Sequence, residues 1–137
     1  MPLVSIIIPC YNVAAFMKKC LDTVCAQTLR DIEIICINDG STDGTPDILR
    51  EYEAADERIR IINQPNAGVA AARNAGLDAA CGKYIGFADP DDYVSPVMFQ
   101  RLYLAAEQYG AELVCMGATI AGDMPLSVRW SMLNGLQ

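Results

Sequence analysis

The most chemically suggestive segment of this sequence is a short acidic run. It reads Asp89-Pro90-Asp91-Asp92 and places three carboxylates within four residues. Three such charges repel one another unless a cation or solvent relieves the repulsion. Carboxylate oxygens are ligands that Mg²⁺ and Mn²⁺ prefer, so the run predicts a divalent-metal site. A solvated turn is the alternative interpretation, because Asp side chains bond to nearby backbone in turns.

Other polar residues follow the carboxyl ends of predicted strands. Tyr11 and Asn12 come after the first strand, Asp39 after the second, and Asn66 and Gly68 after the third. In an open parallel sheet these strand ends lie along one edge, where ligands bind. We therefore expect folding to gather these residues with the acidic run. Each segment taken alone is equally well explained as an ordinary turn.

A single arginine stands in the alanine-rich segment that follows Gly68. Arg73 has Ala70–Ala72 before it and Ala75 after it. These small neighbours leave room for a planar guanidinium to lie against a base or an acidic group. A side chain that simply reaches solvent is the equal alternative.

The composition excludes several kinds of chemistry. The 137 residues include no histidine, which removes imidazole bases, imidazole metal ligands and the Ser-His and Cys-His nucleophile pairs. A formal charge of -7 argues against non-specific nucleic-acid binding. Pro9-Cys10-Tyr11-Asn12 follows the first strand and contains neither G-x-G-x-x-G nor G-x-x-x-x-G-K. An NAD dehydrogenase or a P-loop kinase is therefore disfavoured.

The cysteines and the first residues bear on location. The six cysteines include no C-x-x-C pair and mostly stand in apolar runs, which predicts reduced core thiols. Residues 1–5 lack the basic region of a signal peptide, and no apolar run approaches the ~20 residues of a membrane span. We therefore expect a cytoplasmic protein, including one held peripherally at the inner face of the membrane.

Strand and helix patterns alternate along the chain. We predict five strands, over residues 4–8, 32–37, 58–63, 84–88 and 112–118. Apolar spacing predicts four helices between them, with Phe16 and Leu104 on inner faces and Thr45 as a cap. This order predicts an α/β fold with an open, mostly parallel sheet and helices on both faces. Residues 1–118 would form this domain and residues 119–137 an irregular tail, and we expect the domain to be truncated there.

Four motifs occur in order along the chain. They are Val4–Asn12, Ile37–Asp43, Asn66–Gly68 with Ala72–Asn74, and Phe87–Asp92. Together they resemble the consecutive signatures of family 2 glycosyltransferases, over about residues 3–118. The resemblance implies the Rossmann-like GT-A fold, with this chain as its nucleotide-sugar-binding half.

The resemblance also implies a reaction and a set of roles. A sugar would pass from a nucleoside diphosphate, with UDP favoured, to a saccharide or lipid-linked acceptor in polysaccharide or glycolipid biosynthesis, with inversion at the anomeric carbon. Mg²⁺ or Mn²⁺ would bind the diphosphate, with Asp91 as direct ligand and Asp89 as ribose or metal partner. By similarity, the nucleotide-binding residues would be Pro9, Tyr11, Asn12, Asp39, Asn66, Gly68, Arg73 and Asp89.

The catalytic base is the part of the family pattern that the matched residues do not supply. In the family it is a carboxylate from the second half of the domain, and here Asp123 is the only acid after Glu112. One alternative is a non-catalytic nucleotide-sugar-binding module that acts with another chain. A nucleotidyltransferase is a third hypothesis, but this sequence lacks the glycine-rich basic loop expected near the first strand of such an enzyme. A homo-oligomer would cover the apolar edge of an incomplete sheet.

Overall fold

The computed structural model describes residues 1–116, and in this part strands and helices alternate as the sequence predicts. The strands are β1 (Val4–Cys10), β2 (Ile32–Asp39), β3 (Ile59–Gln64) and β4 (Tyr84–Phe87). The helices are α1 (Ala14–Cys25), α2 (Thr45–Ala55), α3 (Val69–Ala79) and α4 (Met98–Tyr109). The predicted α/β class is confirmed. None of these helices is long and apolar enough to cross a membrane.

The four strands form one parallel sheet in the order β3-β2-β1-β4. Every residue of β1 is buried, because this strand lies between two neighbours and beneath helices on both faces. That position explains why its sequence is an almost continuous apolar run. The chain moves outward from β1 to β3 and returns to the other side of β1 for β4. Such a change of direction opens a crevice at the carboxyl ends of the strands.

The alternating side chains of the sheet enter two separate cores. Ile6 and Ile8 face a larger core that includes residues of α1, α2 and α4. Ile7 faces a smaller core, which α3 covers. A methyl group added at Gly76 would overlap the Ile7 side chain, so glycine at this position lets α3 lie close to β1. The predicted arrangement of helices on both faces is confirmed.

The predicted fifth strand is wrong over residues 112–116. These residues follow α4 without forming a strand, and Leu113 is 66% exposed. An apolar run satisfies only the burial requirement of a strand, whose backbone groups also need a neighbouring strand. Among the described residues, β4 pairs with β1 alone. Residues 117 and 118 of this prediction, and the predicted irregular tail over 119–137, lie outside the described residues.

Three predictions about helix faces and caps are also wrong. Phe16 and Leu104 are exposed, whereas Met17 and Phe99 occupy the inner faces of their helices. Apolar spacing of three and four residues allows two adjacent faces, and contact with the sheet decides between them. Thr45 is the first residue of α2 rather than its cap. Its buried Oγ1 instead accepts a hydrogen bond from the Val13 N–H at 3.0 Å.

Candidate functional site

An open cleft of about 670 Å³ lies along the carboxyl ends of the strands. Its walls are the segments that leave the four strands, together with the first turns of α1 and α3. Eight of the residues predicted from the sequence line it: Pro9, Tyr11, Asp39, Asn66, Gly68, Arg73, Asp89 and Asp91. Folding therefore gathers these residues at one edge of the sheet, as the strand order predicts. What they bind stays a prediction.

Asn12 is the predicted site residue that lies outside this lining. Its backbone is left-handed (φ 49°), a conformation that Asn tolerates better than most residues. Its Oδ1 accepts hydrogen bonds from the N–H groups of Thr42 at 2.8 Å and Asp43 at 3.3 Å, and its own N–H donates to Ser41 Oγ at 3.1 Å. Asn12 thus joins the segment after β1 to the segment after β2.

Sequence reasoning missed the apolar part of the cleft. Val13, Phe16 and Val69 line it, and the last two are 53% and 54% exposed. Phe16 lies in the first turn of α1, and Val69 begins α3. The sequence offered no clear signal, because Phe99 is also apolar and in the first turn of its helix, yet it is buried in the core.

Asp39 is a buried carboxylate that organises the segment before α3. Its Oδ1 accepts hydrogen bonds from Gln64 Nε2 and the Ala67 N–H, both at 2.8 Å, and its Oδ2 accepts one from the Gly68 N–H at 3.0 Å. The hydrogen bond from Gln64, followed by those from the two backbone groups, lowers the pKa of Asp39. The charged carboxylate is therefore the form that the fold favours.

Gly40 allows the segments after β2 and β3 to meet beside Asp39. Its backbone is left-handed (φ 72°), and a Cβ there would lie 2.6 Å from the Asn66 nitrogen. Any side chain would therefore both strain the backbone and push Asn66 away. The close approach keeps the Asn66–Gly68 segment against the Asp39 carboxylate.

The acidic run forms the opposite wall of the cleft. Asp89 Oδ1 accepts a hydrogen bond from Arg73 Nη2 at 3.1 Å, and the Asp92 N–H donates to the Asp89 carbonyl at 3.0 Å. Asp91 is exposed and has no hydrogen-bond or ion-pair partner among residues 1–116. Burial, followed by the charges of Asp91 and Asp89, raises the pKa of Asp92. The charges of Asp91 and Asp89 therefore disfavour the charged form of Asp92.

The charge of the cleft bears on what it can hold. Within the described residues, its lining contains three carboxylates, Asp39, Asp89 and Asp91, and one cation, Arg73. Arg73 is already paired with Asp89. A doubly charged diphosphate would therefore meet net negative charge unless a metal ion came with it.

The acidic run fits a metal that is shared with a ligand. No three His, Cys, Asp or Glu side chains gather into a complete metal site within residues 1–116. Mg²⁺ is commonly bound by one or two carboxylates together with substrate phosphates and waters. Asp91 and Asp89 would supply that number of hard oxygen ligands.

A comparison with known families decides the family of this chain. Residues 5–135 match the model of glycosyl transferase family 2. The chain belongs to this family. The match extends over most of the chain and covers the four motifs noted in the sequence except for Val4, so the resemblance is confirmed.

Two relatives within glycosyl transferase family 2 show how much of a longer protein this chain matches. It is 53% identical over 116 residues to the uncharacterized glycosyltransferase EpsJ of Bacillus subtilis (strain 168), covering 85% of this chain and 34% of EpsJ. It is 45% identical over 95 residues to chondroitin synthase of Pasteurella multocida (strain Pm70), covering 69% of this chain and 10% of that synthase. The chain thus spans about a third or less of these family members.

Solved structures support the GT-A fold of the family. S. aureus TarS 1-349 in complex with UDP-GlcNAc has a TM-score of 0.79 at 24% identity, over 93% of this chain and 38% of that one. The mannosyltransferase PcManGT from Pyrobaculum calidifontis, in complex with GDP-Man and Mn²⁺, has a TM-score of 0.63 at 28% identity, over 67% and 28%.

Proposed function

We propose that this chain is the donor-binding part of an inverting glycosyltransferase that uses a nucleoside diphosphate sugar, with UDP favoured. The carrying observation is that Asp39 and Asp91 line the same cleft. A base held at Asp39 and a diphosphate held at Asp91 are two parts of one ligand. UDP-GlcNAc in TarS and GDP-Man with Mn²⁺ in PcManGT are ligands of this chemistry.

The base of the nucleotide would lie against Asp39. Its Oδ2 accepts one internal hydrogen bond, and a carboxylate oxygen has two lone pairs. The remaining lone pair can accept the N3–H of a uracil. Pro9, Tyr11, Asn66 and Gly68 would surround the base, and Asn12 would hold the first of these segments in place.

The diphosphate would lie against the acidic run. Asp91 would bind Mg²⁺ or Mn²⁺ directly, and Asp89 would bind the ribose or the metal while Arg73 orients it. The metal, when bound, would neutralise the diphosphate and make it a better leaving group. The charge balance of the cleft supports this arrangement, because Arg73 alone does not offset three carboxylates.

Transfer also requires a base that deprotonates the acceptor hydroxyl. Each carboxylate in the described cleft already has a proposed task, so we expect this base from outside residues 1–116. The acceptor would be a saccharide or a lipid-linked saccharide in polysaccharide or glycolipid assembly, and the similarity to chondroitin synthase supports the former. The six cysteines are free thiols, which supports a reducing, cytoplasmic location.

Calorimetry with UDP, with and without Mn²⁺, tests the donor site. We expect measurable binding with Mn²⁺ and little with EDTA. Asp91→Asn should make UDP binding equally weak under both conditions. Asp92→Asn is the matched control, since it removes a neighbouring charge that lies outside the cleft lining. Equal affinity without metal, or Asp91→Asn that keeps its response to Mn²⁺, would contradict the proposal.

The same titration with GDP, CDP and dTDP determines which base the Asp39 pocket accepts. A preference for UDP supports the proposed uracil contact. Release of UDP from a UDP-sugar, measured with and without acceptor saccharides, separates a transferase from a non-catalytic binding module.

A further inference from the structure

The loop that carries the acidic run has few bonds of its own. This β4–α4 loop, residues 88–97, joins the four-residue edge strand β4 to α4 and contains Pro90 and Pro96. A proline has no N–H to donate, and a segment without regular structure must find partners for its backbone elsewhere. The conformation of Asp89 and Asp91 therefore depends on what holds this loop.

Gln27, just after α1, is a buried side chain that binds both the end of this loop and the start of α4. It is 0% exposed. Its Nε2 donates to the Ser95 carbonyl at 2.7 Å and to the Thr23 carbonyl at 3.2 Å, while its Oε1 accepts from the Phe99 N–H at 3.1 Å. Both amide protons and the amide oxygen are thus satisfied, as a buried amide requires.

The bond to Phe99 also completes the start of α4. The first N–H groups of a helix lack partners within it, and no side-chain cap from Val97 satisfies them here. Phe99 is the second residue of α4, and Gln27 supplies its acceptor from another element. Gln27 therefore binds the end of the loop, at Ser95, and the start of the helix, at Phe99.

Three further contacts, from α1 and the segment after it, hold the loop. Thr23 Oγ1 accepts a hydrogen bond from the Val94 N–H at 3.2 Å. The Thr28 N–H donates to the Pro96 carbonyl at 2.8 Å. The Lys19 ammonium lies 4.0 Å from the centre of the Tyr93 ring. The contacts with Gln27 and these three bind the loop at four consecutive positions, 93 to 96.

We propose that Gln27, with Thr23, is a positioning residue for the metal-diphosphate part of the donor site. This inference rests on the proposed function and adds to it a pair of residues outside the cleft lining. By holding residues 94 and 95, they keep the acidic run in the conformation in which Asp91 and Asp89 face the cleft. The Asp39 pocket is built on other elements and does not depend on them.

The test compares two ligands in one variant, Gln27→Met, which keeps the volume and removes the polar atoms. Uridine reports the Asp39 pocket, and UDP with Mn²⁺ reports both parts of the site. We expect the affinity for Mn²⁺-UDP to fall about 10–100-fold, as for other residues that orient metal ligands. Uridine affinity should stay within about twofold, since no Asp39 contact changes. Amide hydrogen exchange at Phe99 should become faster in the metal-free protein.

Val24→Ala is the control for a general loss of stability. Val24 is buried on the same helix, and within residues 1–116 it makes no hydrogen bond to the β4–α4 loop. This variant should lower the melting temperature and leave the ratio of the two affinities unchanged. Thr23→Val, which removes the acceptor of the Val94 N–H and the hydroxyl that donates to the Cys20 carbonyl within α1, decides the question if Gln27→Met does not fold.

The outcomes separate this inference from the proposed function. Wild-type protein that does not bind UDP with Mn²⁺ overturns both. Wild-type protein that binds, together with variants that keep the wild-type ratio of Mn²⁺-UDP to uridine affinity, overturns the positioning role alone. A reduced ratio in Gln27→Met or Thr23→Val, absent in Val24→Ala, supports it.

Discussion

Asp39 has two tasks in one side chain. It holds the segment before α3 through the Ala67 and Gly68 N–H groups, and we propose that it also accepts a hydrogen bond from the base. In Asp39→Asn, an amide NH₂ group replaces one of the two oxygens, and each of these oxygens accepts a hydrogen bond from a backbone N–H. Two donors would then face each other. We therefore expect a lower melting temperature and a loss of uridine affinity of roughly 1.5–3 kcal/mol, the range for bonds to charged groups. Thermal unfolding and calorimetry measure the two effects.

Asp43→Asn is the matched control for this prediction. Asp43 also accepts backbone hydrogen bonds, from the N–H groups of Ala14 at 3.2 Å and Thr45 at 2.9 Å, but lies outside the cleft lining. We expect it to lower the melting temperature without changing uridine affinity. Asp39→Asn that behaves in the same way would show that Asp39 has only the structural task.

Arg73 provides a contrasting case, because its pair with Asp89 is half-exposed. The side chains are 41% and 46% exposed, so solvent screens the pair and its contribution to stability is at most about 1 kcal/mol. We expect Arg73→Ala to leave the melting temperature nearly unchanged and to weaken Mn²⁺-UDP binding, since Asp89 loses the group that orients it. Arg73→Lys should restore less than full affinity, because an ammonium lacks the planar fork of a guanidinium. Unchanged Mn²⁺-UDP binding in Arg73→Ala would support the alternative that the Arg73 side chain only extends into solvent.

The direction of the strands decides which site residues could be predicted from the sequence. Tyr11, Asp39, Gly68 and Asp91 follow strands, and a parallel sheet brings such positions to one edge. The structural task of Asn12 could not be predicted, since it depends on the contact between the segments after β1 and β2. The role of Gln27 was also beyond the sequence, because an amide in a helix-end segment has no local pattern that marks it as buried.

At the scale of elements, the strands and helices of residues 1–110 were predictable because their apolar patterns differ in period. The inner face of α4 was not, since Leu104 and Phe99 both fit a helical spacing and only packing against Gly86 selects Phe99. The strand over residues 112–116 was predicted from apolarity alone. Pairing between strands is a tertiary property, and the sequence of one segment does not contain it.

The connection between α2 and β3 contains an ion pair that should affect stability in acid. Asp56 accepts hydrogen bonds from the Arg58 N–H and Nε at 3.0 Å and from Nη2 at 2.7 Å, and both side chains are 20% exposed. The hydrogen bond from the Arg58 side chain lowers the pKa of Asp56 from 3.8 to about 2. The folded state therefore favours the charged carboxylate, which contributes about 2 kcal/mol to stability above pH 4.

A lowered pKa means that this contribution is lost as the pH falls from about 4 to about 2. We expect Asp56→Asn to reduce the free energy of unfolding at pH 7, and the difference from wild type to shrink towards zero near pH 2. Denaturant unfolding at several pH values measures it. Asp47→Asn is the control, because the Asp47–Arg50 pair is exposed and should change little at any pH. A difference for Asp56→Asn that does not depend on pH would contradict the ion-pair explanation.

At the scale of the whole molecule, the two faces of the sheet are covered unequally. Gly86 of β4 faces Phe99, so Ile85 and Phe87 face the other side, where α3 packs mainly on β1 and β2. Ile85 is 40% exposed and Phe87 46%. An apolar surface beside β4, expected from the sequence, is therefore present among the described residues, and its cover by self-association stays a prediction.

The distribution of carboxylates leads to a final prediction about the 137-residue chain by itself. Asp39 is engaged with Gln64 and backbone, Asp89 with Arg73, and Asp91 is assigned to the metal, so the described cleft has no carboxylate left to deprotonate an acceptor. We expect this chain to bind UDP with Mn²⁺. We also expect it to transfer sugar to a saccharide about 10²–10⁴-fold more slowly than a family member that contains the base, because that is the usual contribution of a positioned base to the rate. Transfer from a radiolabelled UDP-sugar measures this. Rapid transfer that Asp123→Asn abolishes would identify Asp123 as the base and contradict the prediction.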